Sequence, residues 1–393
     1  MNGQRESRAR GVTILGSTGS VGRSALAVIA DAGADFDVVG LAAGKNTELL
    51  VEQAIRHRPQ IVAVQRESDR SAVVERLAAA DLADVEVVAG VAGAQAVAAA
   101  TDADWVLTAM VGAVGLQPTL TAIRRGATVA IANKEPLVMA GALCTAEARR
   151  SGATVIPVDS EHSGLFQCIA GSDRGDLQRL VLTCSGGPLR AVADLDRVTV
   201  EQALAHPVWS MGKKISIDSA TLVNKALEVI EAHWLFGVEG ERIEVVIHPE
   251  GIVHALVGFR DGALLAQLSA PDMRLPIAYA LAHPRRLPLD DSPIDLAALG
   301  ALSFAAPDLQ RFPGLALGHR VLADGGTAGA VLNAANEVAV ERFLAGELPY
   351  RKIVALIERA LDAHRVVPAT DLDTILAADS WARAFVRSQL AGC

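Results

Sequence analysis

The chain has 393 residues, 51% hydrophobic and 21% charged, enough to bury a sizeable core in more than one domain and too apolar for a disordered chain. Its 36 basic residues against 45 acidic ones give a net charge of -9, which excludes the electropositive footprint of a general nucleic-acid or polyanion binder. Four widely spaced cysteines (Cys144, Cys168, Cys184, Cys393) form no C-x-x-C pair, so neither a disulfide framework nor a thiolate zinc site is indicated and a reducing cytoplasm is expected.

In chain order, the first eleven residues are polar and the apolar run Val12–Leu15 is too short for a signal peptide. The run from Trp105 to Leu116 likewise falls short of the ~20 apolar residues that cross a bilayer. Up to about Asp159, short β-branched runs at Val12–Leu15, Asp37–Leu41, Ile61–Val64, Val85–Val88, Trp105–Thr108, Thr128–Ile131 and Thr154–Val158 alternate with Ala-rich helical stretches. This alternation predicts an α/β fold with a Rossmann-like, doubly wound parallel sheet. Leu177–Thr183, His254–Phe259 and Ala263–Leu268 then read as antiparallel strands, the last two a hairpin across Asp261-Gly262. Five of the sixteen prolines fall between Pro284 and Pro313, too dense for continuous helix or central strand. Beyond them Ala328–Ala345, Tyr350–Arg365 and Asp379–Leu390 carry helix-period apolar positions, stopped by Gly346 and Pro368. The expected organisation is an α/β domain over 1–159, a central α+β domain over 160–283, a linker over 284–313 and a C-terminal helical bundle over 314–393.

The motif Gly16-Ser-Thr18-Gly19-Ser20-Val21-Gly22 follows the first strand and opens a helix, so backbone N–H groups and the positive helix end can face a phosphate. A plain tight turn is the competing reading. About 20 residues further on, where an NAD site places an acid for the ribose 2′-hydroxyl, the chain reads Ala42-Ala43-Gly44-Lys45-Asn46. No carboxylate is there to repel a 2′-phosphate, which favours NADP(H), although Lys45 alone reads equally as a surface charge.

Asp159-Ser160-Glu161 follows the last strand of that series. Two acids two residues apart in extended chain point the same way, as metal ligands would; the alternative is that they cap the next helix. A third acid can come from Ser219-Ala-Thr221-Leu-Val-Asn224-Lys225-Ala-Leu-Glu228-Val-Ile-Glu231, where helical spacing puts Thr221, Asn224, Lys225, Glu228 and Glu231 on one face. The competing reading is a solvated polar face. Upstream, His206-Pro-Val-Trp209-Ser-Met211-Gly212-Lys213-Lys214 places an aromatic and a Met among cations beside a glycine, as a mobile cover would; a buried Trp anchor and an exposed basic loop need no function. Of only six lysines, five (Lys45, Lys134, Lys213, Lys214, Lys225) lie in these motifs, where a compact ammonium approaches a single oxygen as an arginine fork cannot. Ala132-Asn133-Lys134-Glu135-Pro136 follows a strand at the ligand-binding edge of such a sheet, and Thr183-Cys184-Ser185-Gly186-Gly187-Pro188 is a glycine turn able to offer a hydroxyl and amides to an oxyanion; each also reads as a bare turn. His206, His248 and His254 read equally as satisfied core or surface residues, and no H-E-x-x-H pairing is present.

GSTGSVG, AGKN, ANKEPLVMAG, PVDSEHS, SGGP, HPVWSMGKKISIDSATLVNKALEVIEA and NAANEVAV together resemble the 1-deoxy-D-xylulose 5-phosphate reductoisomerase family along essentially the whole chain. The resemblance implies an NADPH domain, a catalytic domain with a flap at 206–216, a linker, a helical bundle and a homodimer. It implies Asp159, Glu161 and Glu228 as ligands of Mg²⁺ or Mn²⁺, and Ser185, Ser219, Asn224 and Lys225 as holders of the substrate phosphate. By the same resemblance Ser160, Lys134 and His206 contact sugar oxygens, with Lys134, Glu161, His206 and Glu228 catalytic, and Trp209 and Met211 lie on the flap against substrate. Thr18, Gly19, Ser20, Val21, Gly44, Lys45, Asn46, Asn133, Glu135 and Gly212 are implied for NADPH. The implied reaction rearranges the sugar phosphate and reduces it to 2-C-methyl-D-erythritol 4-phosphate for isoprenoid synthesis. Two alternatives stand beside it: another two-domain NADP-dependent dehydrogenase, which would share the first 130 residues without needing three carboxylates, and a non-catalytic NADP(H)-sensing protein, which would need neither flap nor metal.

Overall fold

The computed structural model describes residues 9–289 and 293–390; the polar start of the chain before residue 9, three linker residues and Cys393 lie outside the described residues. Seven strands, β1 (Arg10–Leu15), β2 (Phe36–Ala42), β3 (Ile61–Val64), β4 (Glu86–Ala89), β5 (Trp105–Thr108), β6 (Thr128–Ile131) and β7 (Thr154–Pro157), form one all-parallel sheet in the order β4-β3-β2-β1-β5-β6-β7. β1, β3 and β5 are buried on both faces over nearly their whole length, which is why they read as unbroken β-branched runs. The order reverses between β1 and β5, and the crevice at the carboxyl ends of these two strands is where such sheets hold ligands.

A second, four-stranded sheet has the order β11-β10-β8-β9, from β8 (Leu177–Cys184), β9 (Ile243–Ile247), β10 (Val253–Phe259) and β11 (Leu264–Leu268). β10 pairs antiparallel with both β8 and β11, as expected, but β9 lies parallel to β8. The sequence reading missed β9 because it is short and keeps only its two end residues buried. One face of this sheet packs on the helices Ser160–Ile169 and Val223–Phe236 through Leu165, Leu180, Leu182, Val229, Phe236 and Val257. Two further corrections concern helices. The stretch 219–231 is not one helix: Lys213–Ala220 ends, Leu222 takes φ 58°, and Val223–Phe236 begins. The last helix runs Leu372–Leu390 rather than from Asp379, because Asp371 accepts the Thr374 N–H at 2.8 Å and starts it about two turns earlier.

The chain divides into two compact units, each discontinuous in sequence. The first comprises Met1–Asn133, Glu147–Val158 and Met273–Leu289; the second comprises Lys134–Ala146, Asp159–Asp272 and Asp290–Cys393. The seven-stranded sheet belongs to the first unit. The second unit holds the four-stranded sheet and the C-terminal helices Ala328–Leu344, Tyr350–Ala363 and Leu372–Leu390, the first of which packs on both of the others. Among the described residues, no helix is long and apolar enough to cross a membrane.

Candidate active site

In the first unit, β1 delivers the chain into Gly16–Gly22 and the helix Ser20–Ala32, whose cap Gly19 makes no side-chain hydrogen bond to the helix end. The first-turn N–H groups therefore have no side chain competing with a phosphate for them. Gly22 cannot be replaced without moving the loop: a Cβ there would lie 2.3 Å from the Gly16 carbonyl oxygen. Thr18 and Val21 are half-buried, and Gly19, Ser20, Gly44, Lys45 and Asn46 are exposed. Asn46 also caps the helix Thr47–His57, its side-chain oxygen accepting the Leu49 N–H at 3.1 Å. Asn133, at the end of β6, is 6% exposed, and neither end of its side-chain amide has a hydrogen-bond partner. A buried amide left unmatched in this way has bonding capacity that a ligand or an ordered water can take up.

The second unit assembles the carboxylates. Asp159 ends the segment after β7 and caps the helix Ser160–Ile169, its Oδ1 accepting the Ser160 N–H at 3.0 Å. The capping and ligand readings are thus not exclusive, because Oδ2 faces the other way, 2.5 Å from Lys134 Nζ. Ser160 and Glu161 stand on the first turn of that helix rather than on extended chain, so it is the helical turn, not strand alternation, that turns Glu161 toward Asp159. Glu228 comes from the helix Val223–Phe236. One oxygen of each of Asp159, Glu161 and Glu228 lies within 4.8 Å of the other two.

Two ammonium groups interleave with these acids. Lys134 Nζ donates to Asp159, to Asn224 Oδ1 at 3.1 Å and to Glu228 Oε1 at 3.2 Å. Lys225 Nζ donates to Glu161 Oε1 at 2.6 Å, Glu228 Oε2 at 2.5 Å and the Thr183 carbonyl at 2.6 Å. All three Lys225 protons are therefore engaged by the acids and backbone, which places this residue with the carboxylates rather than out toward a phosphate. Glu228 is 1% exposed; burial, reinforced by Glu161, pushes its carboxyl up to about 7 against the pull of the two lysines. Glu161 moves the other way, held well below the usual carboxylate range by Lys225 despite its burial. The polar face of this helix is buried from Lys225 through Glu231, so it is not a solvated face.

Around the acids stand hydroxyl and imidazole groups. Ser160 Oγ donates to Glu161 Oε2 at 2.5 Å. His206 Nδ1 accepts the backbone N–H groups of Val208 and Trp209 at 3.2 and 2.9 Å, so the ring proton sits on Nε2, 3.0 Å from Ser185 Oγ. Burial lowers the His206 pKa, consistent with a neutral ring. Ser219 is brought beside the Ser185 loop by Gly187, where φ is 71° and a Cβ would lie 2.6 Å from the Ser219 carbonyl oxygen. Trp209 and Met211 are half-buried, Trp209 with its ring 6.2 Å from that of His254, and Gly212 is exposed. Trp209 is thus no deep anchor. His248, in contrast, is a satisfied core histidine, bonded to the Ser303 carbonyl and to two backbone N–H groups.

Of two further residues in this neighbourhood, His162 escaped the sequence reading, and Glu231 was placed on the polar face of its helix but given no role. His162 Nε2 donates to the Glu228 carbonyl at 2.9 Å, and Nδ1 lies 3.5 Å from Glu231 Oε2 and 3.8 Å from Asp159 Oδ2. Glu231, fully buried, has its carboxyl pushed up to about 7 by burial, against the pull of His162. The i, i+3 spacing of Asp159 with His162 and of Glu228 with Glu231 was the available signal.

A dinucleotide-type α/β sheet and a buried cluster of hard oxygen donors are the features of a metal-dependent oxidoreductase of small molecules. Three family models match the chain: 1-deoxy-D-xylulose 5-phosphate reductoisomerase over residues 12–141, the C-terminal domain of that enzyme over 155–236, and the DXP reductoisomerase C-terminal domain over 268–385. Relatives named 1-deoxy-D-xylulose 5-phosphate reductoisomerase from Symbiobacterium thermophilum and Anaeromyxobacter dehalogenans are 52% and 50% identical, covering 97% and 95% of this chain and 98% and 95% of their own. Among solved structures, the Zymomonas mobilis enzyme in complex with NADPH is 39% identical with a TM-score of 0.90, covering 97% of this chain and 99% of its own. A DOX-P reductoisomerase in complex with NADPH, fosmidomycin and magnesium is 37% identical with a TM-score of 0.93, covering 97% and 98%. The chain belongs to the 1-deoxy-D-xylulose 5-phosphate reductoisomerase family.

Proposed function

We propose that Asp159, Glu161 and Glu228 hold one divalent cation, Mg²⁺ or Mn²⁺, at which this chain converts 1-deoxy-D-xylulose 5-phosphate to 2-C-methyl-D-erythritol 4-phosphate with NADPH. The observation that carries this reading is the convergence of three carboxylate oxygens within 4.8 Å. Three acids facing two ammonium groups leave one net negative charge in a buried space, a donor set suited to a hard cation with open positions. Such a cation supplies Lewis-acid polarisation of the substrate carbonyl and stabilises the negative charge that develops as the carbon skeleton rearranges. NADPH supplies the hydride that reduces the resulting aldehyde; Thr18 to Val21, Gly44 to Asn46, Asn133, Glu135 and Gly212 are its proposed contacts, and the unmatched Asn133 amide is the strongest of them.

The residues around the acids then bind and orient. Lys134, Ser160 and the His206 Nε2–H offer donors to the sugar's oxygens, and Ser185, Ser219 and Asn224 offer hydroxyl and amide groups to its phosphate, whereas Lys225, engaged by Glu161, Glu228 and the Thr183 carbonyl, orders the acids instead. Phosphate contacts remote from the reacting carbons give binding energy that positions them. Trp209 and Met211, on a loop bounded by Gly212, are suited to cover bound substrate and exclude water. We further read the enzyme as a cytoplasmic homodimer: Cys168 and Cys184 are free thiols, and Leu264 and Leu265 are about half exposed on the edge strand β11, leaving apolar surface for a second copy. The test is NADPH consumption with deoxyxylulose phosphate, with and without divalent metal. Metal-dependent turnover is expected. Activity surviving EDTA would favour another dehydrogenase, and no turnover at all would favour a sensing role.

A further inference from the structure

A second buried cluster in the same unit enters the reading above only through Glu135, a proposed NADPH contact; its other members have no task there. Lys214 Nζ lies 2.9 Å from Asp218 Oδ2, one turn along its own helix, and 3.1 Å from Glu135 Oε1. Asp218 is 1% exposed, and its other oxygen accepts a 2.8 Å hydrogen bond from Asn336 Nδ2, a fully buried side chain midway along the helix Ala328–Leu344. Glu337, the next residue, is taken up by Arg383 at 2.6 Å and Asn333 at 3.0 Å. The string Asn333-Ala-Ala-Asn336-Glu337 thus turns inward on charged groups rather than serving only as helix packing.

Burying ions costs several kcal/mol each, and well-packed apolar side chains of the same size generally stabilise a fold at least as well. Stability alone therefore does not account for this cluster; what distinguishes it is that it fixes geometry. The elements it joins are telling. Glu135 directly follows Lys134, whose ammonium lies among Asp159, Asn224 and Glu228. Lys214 and Asp218 lie on the helix Lys213–Ala220, which begins immediately after Gly212 at the end of the Trp209 loop and leads on to Ser219.

We propose that Asn336 and Asp218 are positioning residues for the reaction. Together they fix Lys214 against Glu135, and so hold both the backbone that presents Lys134 and the footing on which the Trp209 loop closes. This rests on the metal-site reading, since it gives that site its alignment. Asn336 touches neither substrate nor metal and acts through Asp218 and Lys214.

A kinetic double-mutant cycle tests it on the full-length protein with saturating Mg²⁺, using Asn336→Ala, Lys214→Met and the double variant. Misplacing a catalytic group by a fraction of an ångström to an ångström costs about tenfold or more in rate. Each single variant is therefore expected to lose about tenfold in kcat, and the double variant to lose no more than the worse single, because both break one chain of contacts. The Mg²⁺ dissociation constant, measured by titration without substrate, should stay within about twofold of the parent, since the three carboxylates remain. Should Lys214→Met not fold, for it leaves two buried carboxylates facing one another, Lys214→Arg takes its place in the cycle. Losses that multiply, or an Asn336→Ala variant with parental kcat, would overturn the proposal. A parent protein inactive on deoxyxylulose phosphate would instead overturn the reading it rests on, before any variant is made.

Discussion

Glu228 is the residue on which most of the site's energetics converge: it accepts from Lys134, Lys225 and Asn224, and it is buried beyond the reach of water. Glu228→Gln keeps the shape but removes a charge from the cation's ligand set. Turnover should fall at least about a hundredfold, while the NADPH dissociation constant, read by fluorescence titration, stays within a few-fold. Comparable losses in both would contradict the ligand role. Glu231 gives a separate, pH-based outcome. Its carboxyl is raised from 4.5 to about 7, so the folded protein binds that proton more tightly than the unfolded chain. The resulting stability is full below the unfolded value and is lost as pH rises through about 7. In metal-free protein, Glu231→Gln should remove this slope, so the parent loses melting temperature relative to the variant between about pH 5 and 7. Parallel melting curves across that range would show that Glu231 titrates normally. Neither glutamate's burial could be read from its helix alone: the same i, i+3, i+4 spacing describes a wet face and a buried one, and only the packing around Val223–Phe236 distinguishes them.

At the scale of elements, the loop from β1 into the helix Ser20–Ala32 was legible because a short strand, three glycines and a helix start are local signals. Its glycines are not equivalent. Gly22 is hemmed in by backbone, whereas a Cβ on Gly19 would meet only the Gly16 carbonyl oxygen, at 3.3 Å, and φ there is an ordinary -73°. Gly19→Ala should therefore leave the melting temperature within a few degrees while raising the NADPH dissociation constant about tenfold or more, because the added methyl stands where a phosphate approaches the helix end. Unchanged NADPH affinity would argue that the loop is only a turn. The Ser219–Glu231 stretch was misread as one helix. Periodicity passes smoothly through Thr221 and Leu222, and nothing in the residues themselves announces the left-handed Leu222; close backbone approach does, since a Cβ on Gly187 or Gly314 would strike the Ser219 or Thr221 carbonyl oxygen. β9 was missed for a related reason: it is a strand chiefly because β8 offers it a free edge.

For the molecule as a whole, a ligand that binds only the folded chain adds stability by mass action. Mg²⁺ at about a hundred times its dissociation constant should add about 2.7 kcal/mol, read as a rise in denaturation midpoint that EDTA reverses. A midpoint indifferent to Mg²⁺ would mean that the three carboxylates do not form a folded-state site. The sequence by itself determined the seven parallel strands, the nucleotide loop, the acid-bearing and lysine-bearing motifs and the terminal helices, because each is written in residues a few positions apart, where strand and helix periods act. The tertiary structure alone decided what those motifs do to one another. Lys134 meets Asp159 across 25 positions, Lys225 meets Glu161 across 64 and Lys134 meets Glu228 across 94. Such meetings, and the burial that moves Glu228 and Glu231 from surface charges to strained neighbours, depend on how distant segments pack, and no period along the chain encodes a distance through space.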